Sequence, residues 1–229
     1  MKKIFSIMMV GGYIVEKKQK VGKRLLGETL TVIIITVSLF LIFNDLKAII
    51  PVIPIIYLLI EKRRRHRSWE EIGFNIKTVQ VDIKINWLWI TLVGVISPLL
   101  TFYIGKYYIP GYIEHVKSRL PMDVKVIIPA IISITIGTFL EEIIFRGFVQ
   151  GRLEWFIAPV KAIIISSILF AFMHYSDGSI AIVIFDMSGI FIDSILFGII
   201  FTKTKNIFTS WIGHYFSDLI GMICLLFLL

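Results

Sequence analysis

The chain reads as an all-α protein, a polytopic transmembrane bundle of about seven helices (six to eight). Three observations lead there. Apolar residue types make up 57% of the 229 residues and charged types only 17%, where soluble domains run about 45–50% and about 25%. The apolar residues are gathered in runs of the length a bilayer demands, roughly 20 residues for a spanning helix. The Lys and Arg residues sit between those runs, with mean hydropathy still +0.86 over the whole chain. A net charge of +8 in a soluble protein would suggest nucleic acid. Charge at the ends of apolar spans argues instead for orientation in a membrane and contact with anionic lipid, and no nucleic-acid partner is expected.

Met1 to Arg24 is a basic tail expected along the membrane surface. Its first fifteen residues have a basic start and a short apolar run, but no small-residue cleavage pattern follows, so no separate signal peptide is expected. Leu25 to Phe43 is the first span. Asn44 and Asp45 make a turn, and Leu46 to Ile60 is a second, short span broken by Pro51 and Pro54. EKRRRHR, Glu61 to Arg67, is the densest positive cluster and reads as a cytoplasmic anchor. In SWEEIGF, Ser68 followed by Glu71 is a capping box, which predicts an interfacial helix. VQVDIKI alternates and predicts a short strand or an extended link. Residues 1–86 thus comprise a basic tail, two spans and an interfacial segment, and residues 87–229 form a membrane-embedded core.

That core opens with Trp87 to Tyr103, flanked by Trp87 and Trp89 at one edge and Tyr103, Tyr107 and Tyr108 at the other, as an aromatic belt places them. Lys106 to Lys125 is a polar loop, in which His115 is expected to be solvated, as is His66 in the basic cluster. Val126 to about Trp155 is a long fourth helix and Ala158-Pro159 its turn. Val160 to Tyr175, Ile180 to Phe201 and Ile207 to Leu229 complete the spans, joined by SDGS (Ser176 to Ser179) and KTKN (Lys203 to Asn206). The lone Cys224 has no intrachain partner and reads as a core thiol. On this layout 18 Lys and Arg lie on one side and 5 on the other, which predicts an amino terminus inside and a carboxyl terminus outside. The short second span decides the orientation: if it does not cross, every later helix inverts.

Within the fourth helix, FLEEIIFRGF places Glu141, Glu142 and Arg146 in an apolar run. Ionisable groups near the bilayer centre are costly and need partners or a task. Glu142 and Arg146 are four apart and share a helix face, so they can pair. Glu141 points about 100° away, with no cation on its own helix. A desolvated carboxylic acid without a partner is suited to act as a base near neutral pH. The plainer alternative is one buried ion network that holds helices together.

Helical rise sets depth. Glu141 lies 17 residues before Ala158 and His174 16 after it, so at about 1.5 Å per residue both stand roughly 24–25 Å from the same turn. An antiparallel hairpin therefore puts them at one level. Counted from Thr204, His214 stands about 15 Å and Asp218 about 21 Å away, on one helix face. Glu141, His174, His214 and Asp218 are thus expected in one layer, contributed by three helices. Asp193, about 16 Å from the same turn, matches Arg146 at about 18 Å, which makes Arg146 the expected ionic centre for Glu142 and for Asp193. Asp186 is read as a polar group at the pocket mouth or as a structural residue. Each histidine alone would be read as a hydrogen-bonded core residue.

Taken together these residues resemble the CPBP family, the CAAX-protease and bacteriocin-processing (Abi) intramembrane endopeptidases. An EExxxR motif is met by Glu141, Glu142 and Arg146, an FxxxH motif by Phe170 and His174, and a third, usually HxxxN, by His214 and Asp218. The Asp departs from the usual Asn, and a carboxylate donates no hydrogen bond unless protonated. The resemblance runs from about Ser68 to the end. It implies hydrolysis of a peptide bond in a membrane-associated or lipid-modified peptide, in or beside a bacterial or archaeal plasma membrane. Glu141 would activate water, His174 would position it, and His214 with Asp218 would stabilise the oxyanion or orient the pocket; Glu142, Arg146, Phe170 and Asp193 would support the site. No cofactor is expected, with zinc the alternative, since two His and carboxylates suit it although no HExxH occurs. The competing functions are a non-catalytic bacteriocin self-immunity protein and a proton-coupled transporter, the latter disfavoured by the lack of two related halves. The topology places the polar layer nearer the outer face, whereas CAAX-type enzymes are expected to open to the cytosol.

Overall fold

A computed structural model describes residues 9–10, 13–14, 23–43, 46, 49–118, 120 and 126–228. A two-residue antiparallel ladder, Met9–Val10 with Tyr13–Ile14, precedes an all-helical bundle. Its helices are α1 (Lys23–Ile42), α2 (Val52–Arg64), α3 (Val79–Tyr108), α4 (Tyr112–Ser118), α5 (Ile127–Leu153), α6 (Pro159–Met173), α7 (Ile180–Thr204) and α8 (Ile207–Phe227). Five of them, α1, α3, α5, α7 and α8, are long and apolar enough to cross a membrane. Helix α6 is apolar but has 15 residues, and α2 has 13, about 20 Å of rise against a hydrocarbon core of roughly 30 Å. The turn expected at Asn44 and Asp45, most of the basic tail, and Pro121 with its neighbours lie outside the described residues.

Despite its shortness, α2 returns the chain to the side where α1 begins. Arg65, just past the end of α2, pairs with Glu28 in the first turns of α1 at 2.8 Å. Glu61, also near the end of α2, is buried and pairs with Arg152 at the end of α5 and with Arg67 at 2.9 Å. Glu154, just past α5, receives Lys205 from the α7–α8 turn. The start of α1, the end of α2, the end of α5 and the α7–α8 turn therefore share one face of the bundle, and it is the basic one. The apolar core beneath that face is built from Leu58, Ile72, Phe148, Val149, Leu153, Ala162, Phe201 and Ile207.

Three local results differ from the reading of the sequence. VQVDIKI is neither strand nor link: it forms the first turns of α3, and Asn86, at φ −106° and ψ 15°, kinks the helix before its apolar part. Its alternation reflects an interfacial helix start rather than a sheet face, since no second strand is present there to pair with it among the described residues. The polar loop between the third and fourth spans carries a helix of its own, α4, which follows Gly111 at φ +84°. The capping box is present, with the Ser68 amide donating to Glu71 Oε2 at 2.7 Å and the Glu71 amide to Ser68 Oγ at 3.1 Å; it starts a single 3₁₀ turn, Glu70–Ile72, that Gly73 ends at φ +95°.

Two wide turns shape the interior. Residues Leu92–Ile96 of α3 and Ile143–Gln150 of α5 adopt π-helical bonding, a local widening that is often found at functional sites. The first lies where α3 touches α8 backbone to backbone: a Cβ on Gly94 would come within 3.2 Å of the Gly213 carbonyl and 3.0 Å of Phe216. Small residues at such a crossing let two helices approach closely, and this one holds His214, the next residue, against the interior. The second wide turn follows Glu142 directly and contains Arg146, and every residue in it is buried.

Candidate active site

The site grows from two adjacent carboxylates that face different ways. Glu142 and Arg146 share a face of α5 and are fully buried, with Arg146 Nε 3.5 Å from Glu142 Oε2. Ser210 of α8 donates its hydroxyl to the same carboxylate, and His214 Nδ1 lies 3.0 Å from Glu142 Oε1. Arg146 in turn donates to Ser194 Oγ at 3.0 Å and to Ser166 Oγ at 3.5 Å. Its guanidinium lies between the rings of Phe170 and Phe197, at 5.4 and 5.6 Å, within cation–π range. A buried charge pair repays its desolvation only when its remaining hydrogen-bonding capacity is met, and here α6, α7 and α8 supply most of it, with Arg146 Nε alone left without a hydrogen bond.

Glu141 faces the other way, into a cavity of about 390 Å³ lined by α3 to α8. His174 Nε2 stands 3.6 Å from Glu141 Oε1, and His214 Nε2 stands 3.6 Å from Glu141 Oε2. The carboxylate that lacks a cation on its own helix thus sits between two imidazoles brought by α6 and α8. Both separations are slightly too long for a direct hydrogen bond, and one water can touch both partners of each pair.

The rings are oriented from behind. His174 Nδ1 lies 2.8 Å from the Phe170 carbonyl oxygen, which can only accept, so Nδ1 carries the proton and Nε2 is turned to Glu141. His214 Nδ1 donates to the Glu142 carboxylate in the same way, leaving its Nε2 for Glu141 and, at 3.9 Å, for Asp218 Oδ1. Phe170 stacks at a tilt 4.3 Å from the His174 ring, and Phe197 stacks on His214 at 4.4 Å. The Asp218 side chain is half exposed at the cavity edge.

Glu141, His174, His214 and Asp218 therefore meet in one layer. Two other expectations are corrected. Asp193 does not share Arg146. Its depth was matched, but direction separates them: Asp193 accepts from Ser97 of α3 and lines the cavity, while its neighbour Ser194, about 100° round the helix, takes the guanidinium. His115 is not solvated but 8% exposed. Helix α4 folds it inward, 3.7 Å from Asp186 Oδ2 and 3.1 Å from Ser176 Oγ, because α4 covers the cavity with Tyr112, Ile113 and Val116. His66 is exposed as expected.

Sequence reasoning missed the bond from His214 to Glu142, and with it Ser210, Ser194, Ser166 and Phe197. Ser210 could have been found, since it is one turn before His214 on the same helix face. The others carry no signal of their own in a run of small and apolar residues. As for metals, no group of three or more His, Cys, Asp or Glu side chains among the described residues is arranged to hold an ion.

An acid, two imidazoles and a second carboxylate thus line one cavity among apolar helices. Residues 123–220 match the model of a known family, Type II CAAX prenyl endopeptidase Rce1-like, and this segment contains the EExxxR, FxxxH and HxxxD residues. The match agrees with the CPBP resemblance those motifs carry and supports intramembrane proteolysis as the general activity. Together with the apolar helices the match supports an integral membrane protein. No curated protein and no solved structure matches the chain.

Proposed function

We propose that the chain is a glutamate-dependent intramembrane endopeptidase that hydrolyses a peptide bond in a membrane-associated or lipid-modified peptide, at the plasma membrane of a bacterium or archaeon. The observation that carries this reading is the Glu141 carboxylate facing two imidazole Nε2 atoms at 3.6 Å, each ring oriented from its other nitrogen, on the wall of a cavity.

In this mechanism a water lies between Glu141 and His174. Glu141 takes its proton while the oxygen attacks the scissile carbonyl carbon. The carbonyl oxygen becomes the oxyanion and faces His214, whose Nδ1 is anchored on Glu142. Glu141 then returns the proton to the leaving nitrogen as the carbon–nitrogen bond breaks, acting as base and then as acid. Water-poor surroundings strengthen each of these contacts. The half-exposed Asp218 adjusts His214 from the cavity edge. Every step is performed by side chains of the chain itself, and no cofactor is assigned; zinc remains the alternative, and turnover that survives exhaustive chelation separates the two. The cavity extends towards α4, away from the basic face of the bundle, and under the positive-inside rule substrate reaches it from the outer half of the membrane.

The test is cleavage in cells and in purified protein. Glu141→Ala and His174→Ala should each abolish cleavage, with expression unchanged. Comparison of membrane peptides from cells carrying the wild-type chain and the Glu141 variant should show a substrate that accumulates uncut. A biological effect, such as immunity to a bacteriocin, that survives both substitutions would overturn the reading.

A further inference from the structure

The oxyanion of the proposed hydrolysis needs donors aimed at it, because a developing negative charge in a dry site is stabilised chiefly by preorganised N–H and O–H groups. Few of the cavity's polar side chains near Glu141 can supply one. Glu141, Asp193 and Asp218 accept but do not donate when ionised. His174 commits its Nδ1 proton to the Phe170 carbonyl and turns Nε2 to Glu141. His214 commits Nδ1 to Glu142, so only its Nε2 is left to donate.

Ser217 is a hydroxyl one turn from His214 on the same helix. It lines the cavity, is 6% exposed, and has no hydrogen-bond partner among the described residues. Of the other serines that line or back the site, Ser210 is engaged with Glu142, Ser194 and Ser166 with Arg146, and Ser97 with Asp193, while Ser133 lines the cavity about 12 Å along α5 from Glu141. Ser167, whose hydroxyl is buried without a partner, is not among the residues that line the cavity. A hydroxyl that opens on the cavity is available to donate to a group bound there. Helix geometry places Ser217 well for this. From His214, Asp218 is about 40° round the helix and about 6 Å along it, while Ser217 is about 60° round in the opposite sense and about 4.5 Å along. The two residues flank the imidazole, one as an acceptor and one as a donor.

We infer that Ser217 is a catalytic residue, the second hydrogen-bond donor to the tetrahedral oxyanion beside His214. This rests on the endopeptidase reading of the site. The hydroxyl binds the scissile carbonyl weakly in the ground state and more strongly as its oxygen gains charge, so its contribution falls on kcat rather than on KM. It supplies a function that the neighbouring carboxylate of Asp218, as an acceptor, does not.

The experiment uses the full-length chain in proteoliposomes, with a quenched fluorescent peptide ending in a farnesylated CAAX tetrapeptide as the probe. Ser217→Ala should lower kcat by about 10²-fold, with KM changed by less than about two-fold, as for loss of one oxyanion donor. Adding Asp218→Asn to the Ser217→Ala chain should recover about tenfold or more of the lost rate, because a carboxamide at the flanking position donates. A purely structural serine would not be rescued in this way. The inference is overturned if Ser217→Ala keeps kcat within about two-fold of the wild type, or if Asp218→Asn gives no recovery. A probe that the wild-type chain does not cut, or that Glu141→Gln cuts as well as the wild type, removes the endopeptidase reading and the inference with it. Loss of cutting in Glu141→Gln with full cutting in Ser217→Ala removes the inference alone.

Discussion

Glu141 and Glu142 are adjacent in the chain, and the regions they enter could hardly differ more. On the Glu142 side the contacts are closed: an arginine, a serine hydroxyl and an imidazole are all gathered on one fully buried carboxylate. On the Glu141 side the same kinds of group stand 3.6 Å apart across the edge of a cavity. The first arrangement leaves no room for a reactant and fixes three helices in place. The second leaves a gap at the centre of the polar layer. Buried charge in a membrane is therefore not one category. Close, fully buried contacts mark a structural knot, and near-contacts at the edge of a cavity mark a candidate site. His214 belongs to both regions, with one nitrogen in each, so the knot aims the ring that the site uses.

The comparison predicts that like substitutions at neighbouring positions have unlike effects. The largest is expected for Glu141→Gln: cleavage falls by about 10²–10⁴-fold, the range for removing a positioned acid or base, while thermal unfolding in detergent is unchanged. Glu142→Ala should lower stability as well as cleavage. It leaves Arg146 buried without its carboxylate, which costs about 3–5 kcal/mol, read as a lowered melting temperature and poor expression. Replacing the pair together, Glu142→Leu with Arg146→Met, should recover much of that stability, since apolar residues of similar volume often substitute for a buried ion pair at little cost. The double variant should still be inactive in the cleavage assay, because His214 has lost the acceptor that orients it. The smallest effect is expected at the rim of the knot: Ser194→Ala removes one hydrogen bond to Arg146 and should lower stability by about 1–3 kcal/mol, with cleavage retained. Recovery of activity in the double variant would break the link drawn between the two regions.

The bundle was legible from the sequence to the extent that burial in lipid leaves a mark. Long apolar runs, basic clusters at their ends and aromatic residues at their edges all correspond to helices in the structure. So does the level shared by Glu141 and His174, because depth is a matter of counting residues along a straight helix from a known turn. Direction was harder. Asp193 and Ser194 have the same depth, and only the rotation of α7 decides which of them meets Arg146. The wide turns at Leu92–Ile96 and Ile143–Gln150 rephase the faces of their helices, and no residue type in those stretches announces them. His115 was read as solvated because the residues around it are polar, and α4 buries it all the same.

What the amino-acid order determined on its own is the set of long apolar helices, their basic face, and the depth of each ionisable group, since these follow from transfer free energies and a fixed rise per residue. What only the tertiary structure decided is which side of each helix looks at which neighbour: that Glu142 is enclosed and Glu141 is not, that His214 joins the two, and that Ser217 is left facing the cavity. Rotation about a helix axis is set by packing between helices, through contacts such as Gly94 against Gly213, and contacts between distant segments are not written in either segment alone.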